Sequence, residues 1–319
     1  LRALHCTVII LSATLNQERR SQLIGSELKA SGYPLITACP NGLPVNEVAL
    51  PAGGSESVAV QLLDNEQLAI EEVLARAEQG QQVLWLENTV AEAQQRYLDL
   101  AARGHELGVA CGLLHSRFSA DDRQAIEDHW VNQFGKPGWE HRGQHGRILV
   151  GTQVLEQSLD IDADFMVSRF APTDMLLQRM GRLWRHSDTP RPAGARRECW
   201  MLAPELDKAI QQPLAAFGSS AHVYSPYVLC RSLQVWQALG SLQLPDDIRP
   251  LIEATYASRD EVEPMSRWLQ ELEQGTSRRK GRNALRQLAR VTLAEVGNTL
   301  PESKAQTRYS EIDSLEVLL

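Results

Sequence analysis

The pattern that most restricts the fold is an apolar, strand-like run that ends in polar residues and gives way to a helical or polar segment. It occurs three times, as residues 82–86 before Asn88-Thr89, 109–114 before Ser116-Arg117, and 147–150 before Gly151-Thr152. Strands that alternate with helices form parallel sheets, because each helix returns the chain to the edge where the next strand begins. The sequence therefore predicts an α/β fold built on a parallel sheet.

The polar residues at these strand ends form a candidate binding edge. The carboxyl ends of parallel strands meet at one edge of a sheet, where open α/β folds bind ligands. Four polar segments are predicted to gather there: Asn88-Thr89, Ser116-Arg117, Gly151-Thr152 and 178–185. Gly151 and Thr152 would offer backbone N–H groups and a hydroxyl to a phosphate. Taken singly, each segment reads as an ordinary loop, and only their joint occurrence favours a ligand site.

The run from Gln178 to His186 is cationic and lies between two apolar segments. Arg182 and Arg185 are three residues apart, so a helix over this run would place both guanidinium groups on one face. Planar, permanently charged guanidinium groups suit phosphoryl transfer, because they bind the developing charge on phosphate oxygens. The run predicts an arginine-finger site, and the alternative is a solvated basic helix that binds nothing specific.

Two further segments organise the first part of the chain. Residues 5–11 are rich in β-branched side chains, which favours a buried parallel strand, and Ser12 and Thr14 follow it. A helical pattern over 17–30 comes next. Residues 41–57 are rich in Pro, Gly and Asn, which is typical of a crossing between domains.

Composition indicates an ordinary globular protein. The 319 residues are 43% hydrophobic, enough for two cores, and the net charge of −8 argues against a nonspecific polycation. The five cysteines have no metal-binding spacing and are expected to be reduced core residues of a cytoplasmic protein. No apolar run has the length of a membrane span, so no membrane contact is predicted. Because the chain enters directly on a strand-like run at Leu1, it is expected to be a fragment of a longer protein.

In their order and spacing, the motifs resemble those of superfamily-two helicases. More specifically, the chain resembles the C-terminal half of the CRISPR-associated DExH helicase–nuclease that type I Cascade complexes recruit. The segments that carry the likeness are 11–15, 115–118, 151–161, 178–186 and 244–253. The resemblance runs from Leu1 to about Tyr256 and is weaker beyond.

The resemblance implies a domain order. Residues 1–40 would end a first RecA-like domain, in which Ser12 and Thr14 couple hydrolysis to movement. The crossing at 41–57 would lead to a second RecA-like domain at 58–204, with its parallel sheet. Residues 205–319, where helical patterns replace the strands, would form an α-helical linker and C-terminal domain.

The resemblance also implies a nucleotide site. Arg182 and Arg185 would contact the triphosphate as catalytic residues, and Gln178 would help to bind it. Asp160 would touch the nucleotide or bridge the cleft, and Gly151 is likewise predicted to be a nucleotide-binding residue. Trp184 departs from the family, which often has a smaller or polar residue there, and it receives no role.

On the nucleic-acid side, the resemblance implies that Ser116, Arg117 and Thr152 hold DNA phosphates. Asn88 and Thr89, at the neighbouring strand end, complete the candidate nucleic-acid contacts. The activity implied is an ATP-driven motor that moves 3′ to 5′ along single-stranded DNA in CRISPR interference and feeds an HD nuclease. The implied partners are Cascade, the HD nuclease and the first RecA-like domain, the latter two expected in the same full-length protein.

The motifs that the sequence lacks restrict what the chain can do alone. It contains no Gly-x-x-x-x-Gly-Lys-Ser/Thr loop, no apolar strand that ends in Asp-Glu, and no His-Asp dyad. ATP with Mg²⁺ would therefore be bound mainly by the N-terminal half, and no metal site is predicted in this chain. Two alternatives stay open: a DExH RNA helicase fragment, or a catalytically silent docking module for Cascade.

The basic stretch near the end leaves a further choice. Arg279, Arg282, Arg286 and Arg290 recur at helical spacing with apolar residues between them, which predicts an amphipathic helix with a cationic face. Such a helix would line a DNA channel, or it would be a solvated surface helix, and the sequence favours neither.

Overall fold

The computed structural model describes residues 6–12, 14–51, 53–156, 159–277 and 279–287. Its described residues divide into two compact units, the first formed by those within 1–57 and 242–258 and the second by those within 58–241 and 259–287. The predicted domain limits stay a prediction. The two units are divided differently, because residues 242–258 group with the first part of the chain and not with the helical region. No helix among the described residues is long and apolar enough to cross a membrane.

The strands are β1 (Leu35–Ala38), β2 (Asn46–Ala49), β3 (Glu56–Leu63), β4 (Gln82–Leu86), β5 (Ala110–Leu114), β6 (Arg147–Gly151), β7 (Phe165–Arg169), β8 (Glu198–Leu202), β9 (Ser241–Leu244), β10 (Gly275–Thr276) and β11 (Arg279–Lys280). The helices are α1 (Gln17–Ile24), α2 (Glu66–Glu78), α3 (Val90–Glu106), α4 (Ala120–Phe134), α5 (Thr173–Met180), α6 (Leu206–Gln211), α7 (Pro213–Phe217), α8 (Ser220–Val223), α9 (Pro226–Trp236), α10 (Ile248–Tyr256) and α11 (Met265–Gln274), with 3₁₀ turns at Lys136–His141 and Gln153–Glu156.

A seven-stranded sheet is the centre of the fold, in the order β5-β6-β4-β7-β8-β3-β9. The ladders from β5 to β3 are parallel where their register is known. β4 and β6 are fully buried, which explains why their sequences are nearly continuous apolar runs instead of alternating ones. The α/β, RecA-like sheet predicted from the sequence is confirmed, and helices predominate in the described part of 205–287, although β9 to β11 interrupt them.

Local capping chemistry sets the beginnings of the helices that flank this sheet. The side chains of Asn65, Thr89 and Ser119 each accept a hydrogen bond from a backbone N–H in the first turn of α2, α3 and α4. Ser119 also donates to the Asp122 carboxylate at 2.7 Å. The caps at Thr89 and Ser119 thus begin α3 and α4 at or just after the predicted polar segments Asn88-Thr89 and Ser116-Arg117.

The first unit is smaller and differs in two places from the sequence-based expectation. α1 ends at Ile24 rather than near residue 30, because Gly25 takes a left-handed φ of 80° and closes the helix. The predicted crossing at 41–57 contains β2, which pairs antiparallel with the preceding β1, and Glu47 of β2 forms a 2.9 Å salt bridge with Arg20 of α1.

The buried strand predicted over residues 5–11 is wrong for the part that the structure describes. Residues 6–12 have no strand hydrogen bonds, and the Ile9 and Leu11 side chains are 80% and 91% exposed. An apolar run becomes a strand only where a neighbouring strand accepts its backbone hydrogen bonds, and the described residues offer none to this segment.

Two remaining expectations are met in part. Of the five cysteines only Cys199 and Cys230 are buried, while Cys6 and Cys39 are exposed, so the expectation that the cysteines belong to the core is wrong for the latter two. Residues 282–287 are helical, in agreement with part of the amphipathic pattern, but Arg279 lies in the strand β11, so the prediction is wrong for that residue, and Arg290 lies outside the described residues.

Candidate functional site

Of the four polar segments that were predicted to gather at one edge, which are called tips below, three lie side by side at the carboxyl edge of the sheet. Leu86 of β4 and Leu114 of β5 both pair with Gly151 of β6, so the three strands end at one level. A Cβ on Gly151 would lie 2.6 Å from the Leu114 carbonyl oxygen, so only glycine fits there. Thr152 follows and is buried, and its N–H donates to the same carbonyl at 3.3 Å.

The tip after β5 is the most open of the three. Ser116 and Arg117 are exposed, which leaves the hydroxyl and the guanidinium group available to an anionic ligand. His115 lies beneath them, buried and stacked on Phe118 with ring centroids 4.2 Å apart. The Arg117 N–H donates to His115 Nδ1 at 3.2 Å, which requires a ring unprotonated at that atom.

We expect this histidine to make stability depend on pH. Burial, and secondarily the Arg117 charge, lower the pKa of His115 in the folded protein. Below about pH 6.5 the unfolded chain takes up a proton that the folded chain resists, so stability should fall as the pH decreases through that point. Thermal denaturation between pH 8 and pH 5 measures this. His115→Asn is the matched control, because its side-chain oxygen can replace Nδ1 as an acceptor and does not titrate. Identical slopes for the two proteins would contradict the assignment.

The tip after β4 faces inward. Asn88 is buried, its amide nitrogen donates to the Phe170 carbonyl and to the Ser220 hydroxyl, both at 2.8 Å, and its amide oxygen accepts from Arg179 at 2.8 Å. Thr89 uses its hydroxyl to cap α3 and donates to Glu92 at 2.6 Å. Both side chains are thus engaged within the protein, so this placement gives them structural roles instead of the predicted contact with nucleic acid.

The fourth predicted segment, 178–185, does not end at the carboxyl edge. α5 begins there, after β7, and runs back along the sheet, so that Leu183 forms a parallel bridge with Ala163 just before β7 begins. The helix ends at Met180, and Arg182 and Arg185 therefore lie in a turn and not on one helix face, which corrects the geometry predicted above. A helix of eight residues is about 12 Å long, enough to carry the chain from one edge of the sheet towards the other.

Arg182 points into the protein. It is 8% exposed, and its two terminal nitrogens donate to the carbonyl oxygens of Leu159 at 2.6 Å and Glu156 at 2.8 Å. Burial, followed by the neighbouring Arg185 charge, lowers its pKa. In this conformation Arg182 holds the segment after β6 in place, and only a rearrangement would bring its guanidinium group to a phosphate.

Arg185 points outward and meets a carboxylate. Its Nε donates to Asp160 at 3.0 Å, with the two side chains 38% and 49% exposed, and its backbone N–H donates to Asp162 at 3.0 Å. His186 Nε2 lies 2.8 Å from the same Asp160 oxygen. Burial acts in the opposite direction, but His186 and Arg185 together lower the pKa of Asp160. An ionised oxygen acceptor thus already occupies the position where a phosphate oxygen would bind Arg185.

Trp184 directs the chain between the two arginines. It is the one non-glycine residue with a positive φ, 52°, among the described residues, and its Nε1 donates to the Asp164 carbonyl at 2.9 Å. The Arg191 guanidinium lies 4.8 Å from the centre of its ring. These contacts hold a backbone conformation that costs on the order of 1 kcal/mol or more for a side chain of this size, and this conformation turns Arg185 away from Arg182.

The sequence analysis missed Arg179, which lies in α5 between the predicted Gln178 and the turn. It is fully buried and forms a 2.7 Å salt bridge with Glu156, which is itself 4% exposed. Although burial opposes its charge, Glu156 raises the pKa of Arg179. A signal existed in the sequence, because Leu176 and Met180 place position 179 beside the buried face of the helix.

The remaining predicted residues lie apart from this arrangement. Gln178 is half-buried on α5. Ser12 and Thr14 belong to the first unit, where the Ser12 hydroxyl accepts the Thr14 N–H at 3.2 Å in an exposed local turn. Among the described residues, no group of three or more His, Cys, Asp or Glu side chains is placed to hold a metal ion.

Comparison with known proteins points to one family. The family model for the C-terminal region of the CRISPR-associated nuclease/helicase Cas3 matches residues 79–188. The chain is 32% identical over 282 residues to the CRISPR-associated endonuclease/helicase Cas3 of Escherichia coli, covering 81% of this chain and 30% of that protein. It is 32% identical over 307 residues to the Cas3 of Thermus thermophilus, covering 80% of this chain and 32% of that protein.

Solved structures agree with the sequence comparison. The crystal structure of T. fusca Cas3 superposes with a TM-score of 0.69 at 29% identity, covering 82% of this chain and 34% of that one. A Cas3–ATP structure from the same source has a TM-score of 0.68 at 30% identity, again covering 82% and 34%. A CRISPR RNA-guided surveillance complex in a pre-nicking state has a TM-score of 0.65 at 29% identity, covering 85% and 36%. The chain spans about a third of the length of these relatives.

Proposed function

Because this chain is a relative of the C-terminal region of the Cas3 nuclease/helicases, as its sequence motifs indicated, we propose that it is the C-terminal motor half of an ATP-dependent single-stranded-DNA translocase in CRISPR interference. The observation that carries the proposal is the position of Arg185. Its guanidinium group is exposed at the end of a buried turn and already binds an ionised carboxylate, Asp160. A group held in this way can exchange a carboxylate for a phosphate oxygen.

ATP is the substrate that would bind at the turn that carries Arg185. Its phosphates and Mg²⁺ would be held mainly by a phosphate loop on another polypeptide segment. Arg185 would leave Asp160 and donate to the γ-phosphate oxygens as charge develops on them. Asp160 and His186 would then keep the turn in place through their own 2.8 Å contact. Arg182 would not contact ATP but would hold the neighbouring segment in place, by donating to the carbonyl oxygens of residues 156 and 159.

The nucleic-acid contact would lie at the carboxyl edge of the sheet. Ser116 and Arg117 are exposed there, so the backbone of a DNA strand could bind across the ends of β5 and β6. Thr152 is buried beside them and would offer a phosphate its hydroxyl only after a local opening. On this proposal the two sites would lie at different edges of one domain, with α5 and the segment after β6 between them.

The partners follow from the names of the relatives. We infer that a first RecA-like domain and an HD nuclease belong to the same full-length protein, which would act in the prokaryotic cytoplasm. The match to a chain of a surveillance complex supports Cascade as the assembly that recruits the motor.

A reconstitution experiment tests the proposal. We expect this chain alone to show no Mg²⁺-dependent ATPase, because its sequence contains no phosphate loop. When it is mixed with a polypeptide that carries the phosphate loop and the Asp-Glu motif, single-stranded DNA should stimulate ATP turnover. Stronger stimulation by RNA would favour an RNA helicase. Association without turnover would indicate a docking module and would overturn the proposal.

A further inference from the structure

A loop that follows the proposed nucleotide site folds back against it. The turn at residues 181–186, called the arginine turn below, is followed by a Pro-containing polar loop, residues 187–195, which comes before β8. Within this loop the Arg191 side chain is only 12% exposed. One of its terminal nitrogens donates to the His186 carbonyl at 3.2 Å. The loop is thus bonded directly to the residue beside Arg185.

Two buried carboxylates fix the Arg191 guanidinium group. Its Nη2 lies 2.8 Å from both oxygens of Asp162, and its Nη1 lies 2.9 Å from Asp164. Both carboxylate side chains are 0% exposed. Asp162 also accepts the backbone N–H of Arg185 at 3.0 Å, so the loop and the arginine turn share one acceptor. Charge-assisted bonds to a planar guanidinium group define its orientation as well as its position.

The oriented guanidinium group supports Trp184, which carries the unusual backbone of the turn. The Arg191 guanidinium carbon lies 4.8 Å from the centre of the indole ring, within the range of a cation–π contact. Indole Nε1 donates to the Asp164 carbonyl at 2.9 Å. Trp184 has a φ of 52°, a left-handed conformation that is unfavourable for a bulky side chain. Without this support Trp184 would relax towards negative φ, and the direction of Arg185, the next residue, would change with it.

We infer that Arg191 is a positioning residue for Arg185. The inference rests on the proposed motor function, and it adds to the site a residue from outside the cationic run 178–186. Arg191 would not touch ATP. It would stabilise the backbone of Trp184 and thereby keep the Arg185 guanidinium group directed outward, where the proposed phosphate contact lies. A catalytic group that is already oriented loses less freedom when the transition state forms, so Arg191 should affect the rate of hydrolysis more than the binding of ATP.

The test uses the complete motor protein and compares the wild type with Arg191→Ala and Arg191→Lys. Arg231→Ala is the matched control. Arg231 also lies over an aromatic ring, 5.7 Å from the centre of Tyr227, and it pairs with Glu261 at 3.2 Å, but it belongs to α9 and has no proposed role. The measured quantities are kcat and KM for ATP at saturating single-stranded DNA. Circular dichroism and thermal denaturation establish that each variant is folded.

For Arg191→Ala we expect kcat to fall by about tenfold to a hundredfold, the scale on which a small misplacement of a catalytic group acts, with KM for ATP within about threefold of the wild type. Arg191→Lys keeps the charge without the planar fork and should retain part of the rate. Arg231→Ala should retain all of it. An unchanged kcat in folded Arg191→Ala would overturn the inference, as would a loss of kcat/KM that arises from KM alone.

A double variant separates positioning from a general loss of structure. In the Arg185→Ala protein the group that Arg191 positions is absent, so the further change Arg191→Ala should lower kcat by no more than about twofold. The same large loss in both backgrounds would show that Arg191 does not act through Arg185, and it would overturn the inference.

Trp184→Gly replaces Arg191→Ala if the latter does not fold. Glycine adopts a positive φ freely but offers Arg191 no ring, so the turn would form without a fixed direction for Arg185, and kcat should again fall by about tenfold or more. A retained kcat would contradict the inference. A wild type without DNA-stimulated ATPase would refute the proposed motor function, and this inference with it. An active wild type that depends on Arg185 but not on Arg191 would refute the inference alone.

Discussion

Replacing Arg185 by alanine should lower the DNA-stimulated ATPase rate of the complete motor by about 10³-fold or more, the scale on which arginine fingers act. The expected loss is large because the guanidinium group acts on charge that develops only in the transition state. The affinity for single-stranded DNA should change by less than about threefold, since the contacts of Arg185 are with Asp160, Asp162 and Gly181 and not with the strand ends. Steady-state turnover and fluorescence anisotropy measure the two quantities.

Arg267→Ala provides the control for this experiment. Arg267 is 64% exposed and pairs with Glu271 on the surface of α11 at 3.4 Å, so its loss removes the same charge from a site without a proposed role. Its turnover should match the wild type. A rate for Arg185→Ala within tenfold of the wild type would show that this residue is not the arginine finger.

Replacing Asp164 by alanine should reduce the free energy of unfolding by about 3–5 kcal/mol, the usual cost of removing one partner from a buried ion pair. Asp164 is fully buried and accepts from Arg142 and Arg191 at 2.9 Å and from the Gln82 N–H at 2.8 Å. Its loss would remove the one carboxylate that pairs with Arg142 among the described residues and one of the two carboxylates that bind Arg191, which would keep Asp162. Urea denaturation followed by circular dichroism measures the change.

Asp99→Ala is the comparison for stability. The Asp99 side chain is 42% exposed, and its partner Arg96 at 3.4 Å would keep a second salt bridge, with Glu66, so the loss of Asp99 should cost less than about 1 kcal/mol. Equal destabilisation by the two substitutions would mean that the Asp164 network contributes no more than a surface pair. A large loss of ATPase activity in folded Asp164→Ala would further indicate that the network positions the turn.

The candidate site was predictable only in part, and its residues show why. Ser116 and Arg117 lie at a strand end because a break in an apolar run marks that end directly, and the structure leaves both exposed. Arg182 and Arg185 were predicted to share a helix face, but Gly181 ends the helix and the positive φ of Trp184 sends them in different directions. Spacing in the sequence cannot reveal such a turn, because contacts distant in the chain stabilise it.

Arg179 shows the same limit for a residue that the sequence analysis did not single out. A cationic residue within a basic run reads as solvated, yet it is fully buried by partners that lie 10 to 91 positions away. Asn88 was predicted to face a ligand because its position at a strand end is evident from the sequence. The distant groups that hydrogen-bond its side-chain amide are not evident. Whether a polar side chain is buried depends on which distant residues become its hydrogen-bond partners, and the sequence alone does not show which residues these are.

The sequence by itself determined the α/β class, the strand–helix order and the helix caps, because periodicity and capping act between residues close in the chain. It also contained the motifs by which the relationship to Cas3 is recognised. Only the tertiary structure decided that the arginine turn and the polar strand ends lie at different edges of the sheet, and that Arg179 is buried against Glu156. Those features depend on long-range hydrogen bonds, whose donors and acceptors meet only after the sheet has formed.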